Sequence, residues 1–363
     1  MGLQRIIGNR YVIALLMRAF ARQHIAHAYL FTGPSHLGKR TTALEWAKLL
    51  NCERPITEQD LCDACDECAS CYHIAQGTSL DVQLIRPVPT ERALTDGGRG
   101  YSIRIDDMRQ LRTDAQLATR HSRWKVYIVD DAEHMTDEAA NCVLKTLEEP
   151  PLNVVIILVT ANYRALPRTV VSRCQVVRFR LVPSSELIHA LCERGASHAD
   201  AQIYACMARG RPGLALLLAR TNALDTAVQR VQELFEQVLH ADVIDAPRLA
   251  ECAVQVGEHL CISDENAVAE PDRKHALRAI EALLNCVRDA WAIKVGVRNG
   301  MLNYSWIAER LSERMNQVMP EQLLHLIDLL NDARTALLAN ANVQLTLEVA
   351  FMRWVKLRQQ LQP

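Results

Sequence analysis

Residues His27–Thr42 read HAYLFTGPSHLGKRTT. An apolar run of strand length, Tyr29–Thr32, leads into a loop opened by Gly33 and closed by Gly38-Lys39, and helical character follows from Thr42. Strand, glycine loop, lysine and helix in that order describe a phosphate-binding loop. Glycines let backbone N–H groups face an anion, and the helix N-terminus adds its positive dipole end. One position departs from that chemistry. A Ser or Thr after the lysine would offer a hydroxyl to magnesium, whereas Arg40 has only donors and brings a positive charge. Thr41 lies one residue further round the helix and does not replace it. Gly33, Gly38, Lys39, Arg40 and Thr41 are therefore the candidate phosphate-contacting residues of a loop that has lost its metal-binding hydroxyl.

Further strands are expected at Val82–Ile85, Val126–Val129, Val154–Thr160 and Val176–Phe179. These runs do not alternate with polar residues, so they predict a parallel sheet buried on both faces between helices. Asp130-Asp131 closes the Val126 strand, where a carboxylate can reach a metal and its neighbour can polarise water. Asp131 is one methylene shorter than Glu, which places it poorly for activating water. Thr136-Asp137-Glu138 starts a helix with the apolar stripe Ala140, Val143, Leu144 and Leu147, ended by Pro150-Pro151. Composition turns to Pro, Gly and charge over 90–102, which predicts a surface loop.

After Val182-Pro183 only helical periodicity remains. A small helical unit is expected over 184–221. A second helical region follows, with stripes Val228, Val231, Phe235, Val238 and Leu277, Ile280, Leu284, Val287, Trp291, and with a loop over 262–274. The 363-residue length calls for two or three domains. With 49% hydrophobic, 23% charged and only 5% aromatic residues, the chain is globular and mostly helical. Its 41 Lys and Arg against 42 Asp and Glu give a formal charge of −1, so no global field draws it to DNA or an anionic membrane. Its longest apolar run is far short of the roughly 20 residues of a membrane span, and no secretory signal is expected at the N-terminus. A cytoplasmic location with reduced cysteines follows.

Five of the 12 cysteines crowd together, Cys52 upstream and then Cys62, Cys65, Cys68 and Cys71 at every third residue. Close thiolate pairs of this kind build a tetrahedral structural zinc site with no open position for catalysis. Five thiols compete for four places.

Taken together, HAYLFTGP (27–34), the cysteine cluster, KVYIVDDAEHMT (125–136), NCVLKTLEEPP (141–151), LPRTVVSRC (166–174) and NANVQLTLE (340–348) resemble the bacterial DNA polymerase III clamp loader of the AAA+ superfamily, over essentially the whole chain. That resemblance implies zinc on Cys52, Cys65, Cys68 and Cys71, with Cys62 spare. It implies that Arg173, in Ser172-Arg173-Cys174, is an arginine finger reaching ATP held by an adjacent subunit, and that Thr160 is the first sensor residue. The motor subunits gamma and tau carry Ser or Thr, an Asp-Glu pair and a Gly-Ser-x-Arg lid motif where this chain has Arg40, Asp131 and Gly213. These departures imply a delta-prime-like subunit, which keeps the fold and finger but need not hydrolyse ATP. The long C-terminal extension of tau is expected to be absent.

The organisation implied is an AAA+ domain (1–182) with a zinc module at 52–71, a helical lid (183–221) and a helical collar (222–363) whose stripes pack between subunits and in part serve an ordinary intrachain core. Expected partners are gamma or tau and delta in a hetero-oligomer, the sliding clamp indirectly, and primer-template DNA through the complex. ATP or ADP, and magnesium with it, would enter only if the altered loop still binds nucleotide. The alternatives are an ATP-hydrolysing gamma-like motor, against which Arg40 argues, and a zinc-stabilised nucleic-acid-binding module. The latter calls for a basic stripe with stacking aromatics that the acidic cysteine region lacks.

Overall fold

The computed structural model describes residues 2–58, 61–89, 101–120, 122–221, 224–260, 271–296, 318–339 and 341–360. The chain divides into two compact units, Met1–Gly195 with Ala208–Ala215, and Ala196–Met207 with Leu216–Pro363.

The first unit contains, in order, α1 (Arg10–Ala21), β1 (Ala28–Thr32), α2 (Lys39–Asn51), the hairpin β2 (Ile56–Glu58) and β3 (Leu61–Asp63), α3 (Ala69–Ala75) and β4 (Val82–Ile85). It continues with β5 (Val88–Pro89), β6 (Tyr101–Ser102), α4 (Ile105–Ala115), β7 (Lys125–Val129), α5 (Asp137–Glu148), β8 (Val154–Thr160), α6 (Arg168–Val171), β9 (Gln175–Arg178) and α7 (Ser184–Cys192). The main sheet has the order β4-β7-β8-β1-β9 and every pairing in it is parallel. All five strands expected from the apolar runs are present, each displaced by no more than one residue. The pairs β2–β3 and β5–β6 were not foreseen, because strands of two or three residues are too short to show a period. Tyr101-Ser102 thus belongs to a ladder rather than to the expected loop, while 90–100 lies outside the described residues.

Strands β1, β7 and β8 are buried along their whole length. Alternate residues supply two cores. Tyr29, Phe31, Val126, Ile128, Val155 and Ile157 pack with α1 and α2, where Trp46 stands edge-on to Tyr29 at 6.1 Å. Leu30, Tyr127, Val129, Ile156 and Leu158 pack with Met108 and Leu111 of α4 and Val143 and Leu147 of α5. Helix α5 starts where its signals place it: the Thr136 hydroxyl accepts the Ala139 N–H, and Asp137 and Glu138 occupy the first turn.

Beyond α7, α8 (His198–Ala208) and α9 (Pro212–Thr221) are shared between the two units. The second unit adds α10 (Leu224–His240), α11 (Ala246–Leu260), α12 (Pro271–Lys294), α13 (Pro320–Leu338) and α14 (Val343–Gln360). Pro271 and Asp272 open α12, so the loop expected over 262–274 ends before Pro271. Proline in the first turn fits a helix start and the acid fits its dipole. Residues 262–270 lie outside the description, as does Asn340 of the NANVQLTLE motif.

Val231, Phe235, Val238, Ile280 and Val287 are buried in this unit's own core, with Leu277, Leu284 and Trp291 against it. The described stripes thus supply an intrachain core, the part expected of them beside any packing between subunits; the side chain of Val228 is outside the description. Trp354 Nε1 donates to the Val238 carbonyl at 2.7 Å and ties α14 to α10. Among the described residues no helix is long and apolar enough to cross a membrane.

Helices α11 and α12 meet at Gly257, where an added Cβ would lie 1.8 Å from the His275 carbonyl oxygen. Two backbones approach that closely only without a side chain. Gly257→Ala is expected to destabilise the helical unit by about 3 kcal/mol, the upper range for overpacking, despite alanine's better helix propensity. Denaturant unfolding followed by far-UV circular dichroism checks this; an unchanged or higher midpoint would contradict the close approach.

Candidate functional site

The phosphate loop hangs between β1 and α2. Gly33 has φ +144°, and a Cβ there would lie 2.5 Å from the Phe179 carbonyl oxygen, so only glycine lets the chain leave β1 beside the residue that follows β9. Gly38 caps α2 with φ +80°, a left-handed conformation suited to glycine. Lys39 is 7% exposed, and its Nζ donates to the carbonyls of Gly33 at 2.6 Å and Pro34 at 2.7 Å. Burial lowers its pKa to about 8, against the opposing pull of Glu133, then Asp131 and Asp130.

Arg40 reaches across to β7, where its Nη1 lies 3.2 Å from Oδ2 of the buried Asp130. The carboxylate that would face a metal is thus paired with a guanidinium. Thr41 is exposed on α2, and it is Thr42 whose hydroxyl turns inward, donating to the Gly38 carbonyl at 2.9 Å. Asp131 is exposed and left-handed, with φ +49°. Thr160 is fully buried at the end of β8, and its hydroxyl oxygen accepts the Asn162 N–H at 3.0 Å, a turn-forming bond. Gly213 approaches the loop from the other side: its N–H donates to the His36 carbonyl at 2.9 Å, and a Cβ would stand 3.0 Å from that oxygen.

Glu133 was missed by sequence reasoning. Its Oε1 accepts the Ala161 N–H at 3.0 Å, its Oε2 is buried with no hydrogen-bond partner, and it is the leading charge raising the Lys39 pKa. An acid on the 3₁₀ turn three residues past Asp130 was the available signal. It was overshadowed by the Asp130-Asp131 pair, of which only Asp130 is buried.

At the far end of α2, Cys52 follows the last helical residue directly, and Cys68 caps α3. The sulfurs of Cys52, Cys65, Cys68 and Cys71 all lie within 4.8 Å of one another, while Cys62 lies in the β2–β3 hairpin with its sulfur 3.6 Å from the Thr57 hydroxyl. Four thiolates around zinc at about 2.3 Å would stand about 3.8 Å apart, so the cluster suits a tetrahedral ion. Backbone N–H groups of Cys65, Cys68 and Cys71 donate to the sulfurs of Cys52, Cys65 and Cys68 respectively. Burial works against ionisation of Cys65, but N–H groups of Glu67 and Cys68 and the neighbouring thiols bring its pKa down to about 7. Burial and then the adjacent Cys68 and Cys52 sulfurs push Cys71 well up. The four thiols together could hold a metal ion.

Arg173 stands away from both clusters, just beyond α6. Its Nη2 lies 2.6 Å from Oε1 of Glu148 and its Nη1 donates to the Thr169 carbonyl at 2.9 Å. Cys174 is turned inward, where burial pushes its thiol up to about 12 and makes it a packing group rather than a reactive one.

The family model described as DNA polymerase III, delta subunit, matches residues 8–183. The tau subunit of DNA polymerase III from Bacillus subtilis is 26% identical over 96% of this chain, and the delta-prime subunit of the same organism is 26% identical over 92% of each chain. Over residues 8–183, just under half of its length, the chain matches the family of this DNA polymerase III subunit. It spans 60% of the length of that tau relative. Among solved structures, a gamma subunit-related protein from Thermotoga maritima matches 95% of this chain at 19% identity with a TM-score of 0.45.

The phosphate loop is closed on its own groups. Lys39 is held in the folded state below its ordinary pKa of 10.5, so the folded protein binds fewer protons than the unfolded chain between about pH 8 and 10.5. The penalty for burying charged Lys39 is full below about pH 8 and is relieved as pH rises through that window. The stability of the native chain relative to Lys39→Met should therefore rise from pH 8 toward 10.5. Chemical denaturation of both proteins across that range checks it, and parallel pH profiles would refute it.

Proposed function

We propose that this chain is a delta-prime-like subunit of the clamp loader that supplies Arg173 to a neighbouring ATPase subunit and does not itself hydrolyse ATP. The observation that carries the reading is the ion pair of Arg40 with Asp130. Metal-assisted phosphoryl transfer needs an acidic group and a hydroxyl on magnesium, and here the acid is neutralised while Arg40 replaces the hydroxyl. Gly213, in the lid position where the motors carry arginine, offers only backbone to the loop. Glycines, helix N-terminus and Lys39 persist, so the loop serves as architecture, with ATP or ADP at most a passive guest.

Arg173 supplies what the reading needs in trans. Its side chain is 35% exposed, so a guanidinium at the surface can approach the phosphates of an adjoining subunit and stabilise charge developing in the transition state. The assembly we infer is a hetero-oligomer with gamma or tau and delta, working in the cytoplasm. It acts on the sliding clamp and on primer-template DNA through the complex rather than through any net positive charge of this chain. In it, 1–182 is the AAA+ domain, 183–221 the lid and 222–363 the collar.

Reconstitution with gamma or tau, delta, clamp and primed DNA tests the reading. The chain alone should be inert toward magnesium-ATP, and Arg173→Ala should lower the turnover that depends on this chain by about a hundredfold without loss of assembly. Turnover by the isolated chain that disappears in Lys39→Ala would instead establish a motor.

We further propose that Cys52, Cys65, Cys68 and Cys71 hold one structural zinc. Metal analysis of protein purified under reducing conditions should find one zinc per chain, and Cys65→Ser should lose it while Cys62→Ser keeps it. Equal zinc in both variants would overturn the assignment.

A further inference from the structure

We propose that Glu148 is a positioning residue for Arg173, an inference that rests on the arginine-finger reading above. The guanidinium is held at both η nitrogens by groups from two different helices: Nη2 by the Glu148 carboxylate at 2.6 Å, Nη1 by the Thr169 carbonyl at 2.9 Å. Glu148 is the last residue of α5 and Thr169 lies in α6. Each stands next to an anchor with almost no exposure, Leu147 at 2% and Val170 at 0%, and both anchors belong to the core on one face of the sheet. The two holding groups are therefore fixed to the same rigid layer.

An ion pair whose members are 35% and 47% exposed adds little to stability, so folding gives no strong reason for it. Its consequence is orientational. An arginine side chain carries substantial rotamer entropy, and a fork already fixed in direction loses less of it when it meets a phosphate. Two of the five guanidinium N–H groups are engaged, so donors remain for an incoming triphosphate. Glu148 also links the finger to this chain's own phosphate loop region. Helix α5 begins at Asp137, a few residues beyond Asp130, so the carboxylate that aims Arg173 rides on the helix following the strand that carries Arg40's partner.

The test uses the reconstituted complex and measures kcat and KM for ATP in the presence of primed DNA and clamp, with assembly followed by size-exclusion chromatography. Glu148→Ala should lower kcat by about tenfold with KM and assembly unchanged, because the finger is misdirected while the neighbour's nucleotide site is intact. Glu148→Asp should recover part of the loss. The double variant with Arg173→Ala should be no slower than Arg173→Ala alone, since both changes act through one group. Should Glu148→Ala fail to assemble, the isosteric Glu148→Gln carries the same measurement. An unchanged or raised kcat in the Glu148 variants, beside a slow Arg173→Ala, would overturn the positioning role and leave the finger standing. Full turnover in Arg173→Ala would remove the finger reading itself, and Glu148 with it.

Discussion

Burial of β1 on both faces is the constraint around which the first unit is arranged. A strand with parallel partners on both edges and side chains packed above and below has no freedom of register: a slip of one residue would exchange Tyr29 and Phe31 for Ala28 and Leu30 in their respective cores. The chain therefore leaves β1 at a fixed point and direction, and Gly33 is the residue that allows the exit beside Phe179. Helix α2 starts from that fixed loop and packs Trp46, Ala47 and Leu50 back onto the same face. The phosphate loop and the cysteine cluster are both referred to this strand and helix.

Helix α2 carries a different kind of site at each end. At its N-terminus are Lys39 and Arg40; at its C-terminus Cys52 leads out toward the other three cysteines. Lys48 pairs with Glu45 within the helix and with Asp66 between Cys65 and Cys68, and the Asn51 amide oxygen accepts the Trp124 N–H just before β7. Asp63, next in sequence to the spare Cys62, accepts the N–H groups of Leu3 and Gln4 and so binds the N-terminal turn to the same module. A metal held by the four thiols would fix the far end of the helix whose near end forms the phosphate loop. That arrangement gives a structural ion a purpose in a domain that already has a sheet.

The main sheet was legible in the sequence because its strands are long, continuous and apolar, and a two-sided burial pattern needs no alternation to be recognised. The phosphate loop was legible because glycine and lysine occupy it in a fixed order between a strand and a helix. The small ladders at β2–β3 and β5–β6 were not, since two or three residues carry no period. Glu133 and Glu148 were hidden for another reason. Each meets a partner distant in sequence, Ala161 and Arg173, and only the parallel pairing of β7 with β8 and the return of α6 beside α5 brings those partners near. Arg40 was read as a positive charge near a metal position, but its pairing with Asp130, 90 residues away, depends on α2 and β7 lying side by side.

That pairing bears on how the phosphate loop is held together. Removing the hydroxyl after Lys39 alone would leave Asp130, 8% exposed, without the cation a motor binds there. A buried carboxylate without a partner is costly, and a guanidinium supplies both charge and donors at the same place. Arg40 thus supplies Asp130 with a cation that belongs to the chain itself. A cation that is part of the chain cannot dissociate, so the pairing of Asp130 does not depend on a bound ion.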